Sequence, residues 1–317
     1  MNALNKQRKS WQSWLLALST LAVIALAMNW AMPLHAQALG WEGETGIFVT
    51  PLAYTASSAT QKFHPVVAYH YLNAGPVIGD FHETSIELGV GKCIEFGYTH
   101  EFHVFGSNAD LSPLWQNGFD IFNGKVNLIP ENAGKTKWVP AVSVGFIARP
   151  NVRNVGNFVE QYGNNPATIG GKADADFYAV GSKVVPTKHV PIVLSVGVRG
   201  TDAELWGMGG NAPDWQARAF GAVAFVFKLP GKSTLIFASE AAQQPHHPYG
   251  FDGTNGTTAL NIPTTLTYAA RFVPTPKYKL NFDFGVAQIA GYVYGSGVGG
   301  INLQARHQVA VQMSYGF

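Results

Sequence analysis

Tyr278-Lys279-Leu280-Asn281-Phe282-Asp283-Phe284-Gly285-Val286 alternates apolar and polar residues without a break, the period of a β-strand whose two faces meet different surroundings. Tyr278, Leu280, Phe282, Phe284 and Val286 fall on one side, Lys279, Asn281, Asp283 and Gly285 on the other. The apolar side is bulky; the other is small and sparsely charged. A soluble sandwich would carry many more charges on its polar face. A membrane barrel turns bulky apolar residues to hydrocarbon and small or polar ones to its lumen. Similar segments occur at 63–72, 82–90, 94–104, 119–129, 138–149, 174–184, 190–200, 214–228, 233–240, 264–272, 278–288 and 306–317. They predict an all-β fold, a transmembrane up-and-down antiparallel β-barrel of about 12 strands, with 14 as the alternative.

Composition leads to the same class. Of 317 residues, 47% are hydrophobic, 13% aromatic and only 13% charged. Such a chain is not disordered, and an ordinary soluble enzyme would carry about a quarter charged residues. A helical membrane protein needs apolar runs of about 20 residues, and past the N-terminus there are none. The single cysteine, Cys93, allows neither an internal disulfide nor a cysteine-built zinc site.

At the N-terminus Lys6, Arg8 and Lys9 precede an apolar run from Trp14 to Met28, and Ala36-Gln37-Ala38 supplies a small-x-small cleavage site. Residues 1–38 therefore read as a signal peptide, 39–62 as a periplasmic or lumen-inserted segment and 63–317 as the barrel. Cleavage removes three of 21 basic residues and none of 19 acidic ones, leaving 18 − 19 = −1. That charge gives no footprint for nucleic acid.

The connections alternate too. Reading back from the C-terminus, 289–305 is long, 273–277 short, 241–263 long, 229–232 short, 201–213 long, 185–189 short, 150–173 long, 130–137 moderate, 105–118 long and 91–93 short. Outer-membrane barrels place short turns in the periplasm and long loops outside. The rhythm predicts an even strand number with both barrel ends in the periplasm. Gly46-Ile47-Phe48-Val49-Thr50-Pro51 would add a thirteenth strand and break parity, so it is assigned to the segment preceding the barrel. Trp138, Phe227, Phe272, Tyr278 and Phe317 form an aromatic girdle at the periplasmic ends.

Val309, Val311, Met313, Tyr315 and terminal Phe317 occupy every second position. They resemble the assembly signal that presents a final strand to the barrel-assembly machinery, an edge that hydrocarbon tolerates only once paired. Further motifs are Ile86–Val90 with Ile94–Tyr98, Lys125–Leu128 with Trp138–Val142, Tyr178–Lys183 and Thr234–Glu240. In this order they resemble the transport-type barrels that include the phenol-degradation meta-pathway family, and also the exopolysaccharide-linked YjbH-like barrels. The resemblance implies a bacterial outer-membrane barrel of transport type and carries no functional residue with it.

The expected lumen-lining residues are Glu83, Glu87, Glu95, Glu101, His103, Lys125, Lys183, Arg199, Arg218, Glu240, Arg271, Lys279 and Asp283, with Lys228 as a further inward charge. Their first expected role is structural pairing across a narrow bore; the sharper one is a constriction selecting a small polar solute. A hairpin turn through Gly91-Lys92-Cys93 sets Glu83 across from Glu101, with His103 beside them. Two carboxylates so placed repel unless a proton, a cation, or Arg199 or Arg218 intervenes.

Gly295, Gly297 and Gly300 match a dinucleotide pattern without the helix it needs, so they read as a Gly-rich outer loop. No catalytic residue, metal ligand or cofactor is expected, and the chain is not expected to be an enzyme. The predicted function is an outer-membrane channel or porin-like transporter for a small solute in a Gram-negative bacterium, with outer-membrane lipid as its surroundings. The alternative is a closed structural or binding barrel whose outer loops, with Trp115, Trp206 and 241–263, take polysaccharide or protein. Oligomeric state and solute stay open.

Overall fold

The computed structural model describes residues 38–56, 63–91, 93–108, 115, 116, 118–152, 173–203, 205–209, 215–246, 248, 249, 258, 259, 262–274, 279–288, 290–295 and 298–317. The expected signal peptide up to residue 37, residues 57–62 and Tyr278 of the expected girdle lie outside them.

The strands in chain order are β1 (Phe63–Asn73), β2 (Gly79–Val90), β3 (Ile94–Phe105), β4 (Phe119–Ile129), β5 (Ala141–Arg149), β6 (Asp174–Val185), β7 (Ile192–Thr201), β8 (Gln216–Lys228), β9 (Thr234–Ala242), β10 (Pro248–Tyr249), β11 (Thr258–Ala259), β12 (Thr265–Val273), β13 (Leu280–Gln288), β14 (Ala290–Gly295), β15 (Val298–Ala305) and β16 (Gln308–Gly316). Twelve close into one barrel in the order β1-β16-β13-β12-β9-β8-β7-β6-β5-β4-β3-β2. The closing pair runs antiparallel from Val66 opposite Gly316 to Leu72 opposite Ala310. The barrel therefore has twelve strands, not fourteen.

Buried and exposed side chains alternate along most of the barrel strands. Along β13, Asp283 is 3% exposed and its neighbour Phe284 53%. Val309, Val311, Met313, Tyr315 and Phe317 all face outward, as do Ile86, Phe96, Phe177 and Val196. The exterior is thus an apolar surface, and the ionised groups look into the enclosed space. Among the described residues no helix is long and apolar enough to cross a membrane.

Several local expectations change. β2 begins at Gly79, earlier than the alternation suggests, after one helical turn, α1 (Gly75–Ile78). β5 begins at Ala141, so Trp138, at 87% exposure, projects from the preceding turn. The Gly-rich stretch is a two-stranded hairpin of β14 and β15 outside the barrel sheet, where Gly295 ends one strand and Gly300 lies in the other; Gly297 is not among the described residues. Small residues gave that hairpin no alternation to read.

Candidate functional site

The lumen is occupied by the chain's own residues 38–56. Trp41, Ile47, Phe48, Leu52 and Tyr54 are buried there in one apolar cluster with wall residues such as Phe81, Ile121, Ile147, Tyr178 and Phe220. The segment is wound on itself: Gly40 N–H donates to the Glu44 carbonyl at 2.6 Å, Trp41 N–H to Phe48 at 2.7 Å and Leu52 N–H to Thr45 at 3.0 Å. Gly43 sits at φ +89°, where a Cβ would also lie 2.2 Å from Thr99 Oγ1, so glycine meets both the turn and the close approach to β3.

The wall holds this segment by its side chains. Glu240 accepts the successive backbone N–H groups of Phe48, Val49 and Thr50 at 2.9–3.2 Å and the Thr50 hydroxyl at 2.6 Å. Three adjacent amides converging on one carboxylate make a compact anion nest. Glu95 accepts Thr45 N–H at 2.9 Å, the Thr45 hydroxyl at 2.6 Å and Ala56 N–H at 2.6 Å. Lys125 pairs with Glu95 at 2.7 Å and donates to the Thr45 and Leu52 carbonyls, both at 2.9 Å. Arg271 pairs with Asp283 at 2.8 Å and 2.9 Å and donates to the Ile47 carbonyl. Ser143 Oγ donates to the Ala53 carbonyl at 2.6 Å, and Ala53 N–H donates to Ser182 Oγ at 2.9 Å.

A second cluster centres on Glu42. Arg149 and Arg199 both grip its carboxylate; Arg149 also pairs with Asp174, and with Asp176 at 3.0 Å. Arg199 lies 4.0 Å over the Trp206 ring, a cation–π contact. Glu42, Arg149, Asp174 and Asp176 were not singled out from the sequence. Arg149 is the last residue of β5 and Asp174 the first of β6, strand ends where alternation extends to one side only.

The hairpin sets Val90 opposite Ile94 and Glu83 opposite Glu101. Both carboxylates are wholly buried, and so is Glu87. Neither Arg199 nor Arg218 neutralises them, contrary to expectation: Arg199 goes to Glu42, and Arg218 donates to Gln216 and to the Gln244 carbonyl. His103 stands one rung nearer the loops, its Nε2 2.8 Å from the Ile78 carbonyl and its ring 4.5 Å from Phe81. Lys183 pairs with Glu131 at 3.0 Å near the short-turn end, Lys279 is half-buried, and Lys228 is exposed at its strand end.

Within the inserted segment, burial pushes the Glu44 carboxyl up to about 7 against the pull of Arg199 and Lys125. Burial and the Glu131 carboxylate raise the Tyr54 phenol above its ordinary value. Trp115 and Trp206, expected on outer loops, are buried instead at 8% and 7% exposure, and Trp115 Nε1 donates to the Met208 carbonyl at 2.9 Å. They present no surface to a polysaccharide.

No family model and no curated relative matches this sequence. Among solved structures, an outer membrane channel from Pseudomonas putida F1 is similar at 10% identity and TM-score 0.42, covering 91% of this chain and 100% of that one. The NanC porin is similar at 7% identity and TM-score 0.38, over 80% of this chain and 98% of that one. OprB of Pseudomonas putida is similar at 9% identity and TM-score 0.31, over 81% and 94%. Scores this low decide nothing; the closed strand order carries the fold.

Proposed function

We propose that this protein is a porin-like outer-membrane channel for a small solute, with residues 39–56 as a resident plug that must shift for the full bore to open. One observation carries the reading. Among the described residues the plug forms no β-ladder with the wall; its backbone bonds are internal, and the wall reaches it through side chains. Side-chain donors and acceptors can exchange a plug amide for water, whereas a shared ladder would have to break as a unit. In the same reading residues 1–38 direct export and are cleaved. The outward-facing Val309, Val311, Met313, Tyr315 and Phe317 present the last strand to the assembly machinery before it closes on β1.

A second reading, a closed structural or binding barrel without transport, draws on the number of charged groups gripping the plug. Planar-bilayer recording separates the two, using the full chain and the double variant Glu95→Gln/Glu240→Gln, which weakens two plug anchors. Discrete conductance steps that grow larger and more frequent in the variant are expected. A silent variant whose heat-modifiable gel shift shows a folded barrel would leave the closed-barrel reading standing and overturn the channel.

A further inference from the structure

Lysines gather at one end of the barrel, on the short connections between its strands. Lys135 and Lys137 lie between β4 and β5, Lys188 between β6 and β7, and Lys232 between β8 and β9, and all four are exposed. Lys279 stands half-buried just before β13. Among the described residues no acidic side chain is exposed on these connections: Glu131, 8% exposed, is paired with Lys183 at 3.0 Å. The opposite rim is mixed, with Arg218 and Arg306 beside Asp80 and Asp202.

Two of the short turns place lysine where its backbone is strained. Gly134 and Lys135 have φ +65° and +62°, and Gly231 and Lys232 have φ +75° and +66°, the left-handed region that a tight hairpin turn asks of its central residues. Glycine takes that conformation freely, whereas a Cβ there crowds the following carbonyl oxygen. With Lys279 at φ +50°, lysines of this rim make up three of the six non-glycine residues at positive φ among the described ones. The sequence repeats the Gly-Lys pair at Gly91-Lys92, where Gly91 has φ +58° and Lys92 lies outside the described residues. Turn geometry alone would favour glycine or asparagine at these positions, so the ammonium groups need a reason outside the turn.

Their depth supplies one. Trp138, at 87% exposure, directly follows Lys137, and exposed Leu229 opens the turn that holds Lys232. A tryptophan that exposed, beside lysines and at the edge of an apolar band, belongs at the membrane interface, where its ring meets headgroups and a neighbouring ammonium reaches the phosphates. A soluble acidic partner would be met by lysines set clear of that band.

We propose that the short-turn rim is a binding surface for anionic glycerophospholipid, with Lys135, Lys137, Lys188 and Lys232 favouring headgroups of net negative charge, such as phosphatidylglycerol, over zwitterionic ones. The rim thus selects among the lipids that surround it. This inference stands apart from the channel reading, because lipid preference is measured without conductance.

The test uses the full chain folded in phosphatidylcholine vesicles with a minor share of phosphatidylglycerol, and compares how strongly the barrel immobilises spin-labelled forms of the two lipids. At low salt phosphatidylglycerol should be preferred about fivefold, the worth of one lysine against an anionic surface. In about 1 M salt, where screening acts within about 3 Å, the preference should approach unity. The variant Lys135→Gln/Lys137→Gln/Lys188→Gln/Lys232→Gln should lose it at low salt, and arginine at the same four positions should keep it; a heat-modifiable gel shift confirms that both are folded. No preference in the unmodified chain, or one that survives the glutamine variant, overturns the proposal. So does a stronger lysine-dependent immobilisation of spin-labelled lipid A, which would give the rim to a glycolipid. None of these outcomes touches conductance, so the channel reading stands or falls separately.

Discussion

Two walls of one lumen bury charge in opposite ways. On β5–β7, Arg149 and Arg199 face Asp174, Asp176 and the plug's Glu42, and every one of these side chains has a charged partner. On β2–β3, Glu83, Glu87 and Glu101 are as deeply buried and have no basic partner among the described residues. The first wall is an anchor, where charges neutralise one another and fix the plug. The second sets carboxyl against carboxyl, Glu83 with Glu101, which is costly unless the pair shares a proton. Buried charge is therefore no single signal; what matters is whether its partners come from the chain.

The contrast predicts opposite signs for removing charge. Arg149→Met leaves Glu42, Asp174 and Asp176 to share Arg199, and breaking a buried network from one side costs about 3–5 kcal/mol. The urea midpoint of the heat-modifiable barrel should drop accordingly; an unchanged midpoint would show that the Glu42 cluster does not anchor the plug.

Next in size is a pH effect at Glu44, which lies between the two walls. Its carboxyl sits at about 7 when docked, against an ordinary 4.5, because burial disfavours the charged form. The docked plug therefore holds more protons than the released one between those values, so docking weakens as pH rises through that window and levels off above it. The loss integrates to about 3 kcal/mol. Protease nicking at the plug should be slow near pH 5 and faster near pH 8, and Glu44→Gln should flatten the profile. A profile running the other way would place Glu44 in a paired, charged environment.

Much of this was legible in the sequence because the period of two reports which face a residue takes. Asp283 beside Phe284 reads correctly, and a three-residue turn fixes the register that brings Glu83 to Glu101. The partners were not legible. That Arg199 would serve Glu42 depends on a segment with no strand period, whose path through the lumen is set by turns and by wall side chains far away in sequence. Trp115 and Trp206 look like outer-loop rings until that segment fills the bore and gives them something to pack beneath.

On the β2–β3 wall the sign reverses. Glu83→Gln swaps a buried, baseless carboxylate for a neutral amide of the same shape, one able to donate toward Glu101. The barrel should gain about 1–2 kcal/mol, since one of two facing buried carboxyls is removed and the amide keeps a hydrogen bond to Glu101. A loss of stability would mean that Glu83 is matched by the protein.

The smallest expected effect tests the plug's grip at a neutral contact. Ser143 Oγ donates to the Ala53 carbonyl at 2.6 Å, and Asn127 Nδ2 reaches the same oxygen at 2.8 Å. Ser143→Ala therefore removes one of two donors and leaves the carbonyl satisfied, so the cost should be near 0.5–1 kcal/mol. Asn127→Ala alone should cost a similar amount. The double variant should exceed the sum of the two, because only then is a buried carbonyl orphaned. A strictly additive pair, measured by urea midpoints, would mean that water already reaches the Ala53 carbonyl.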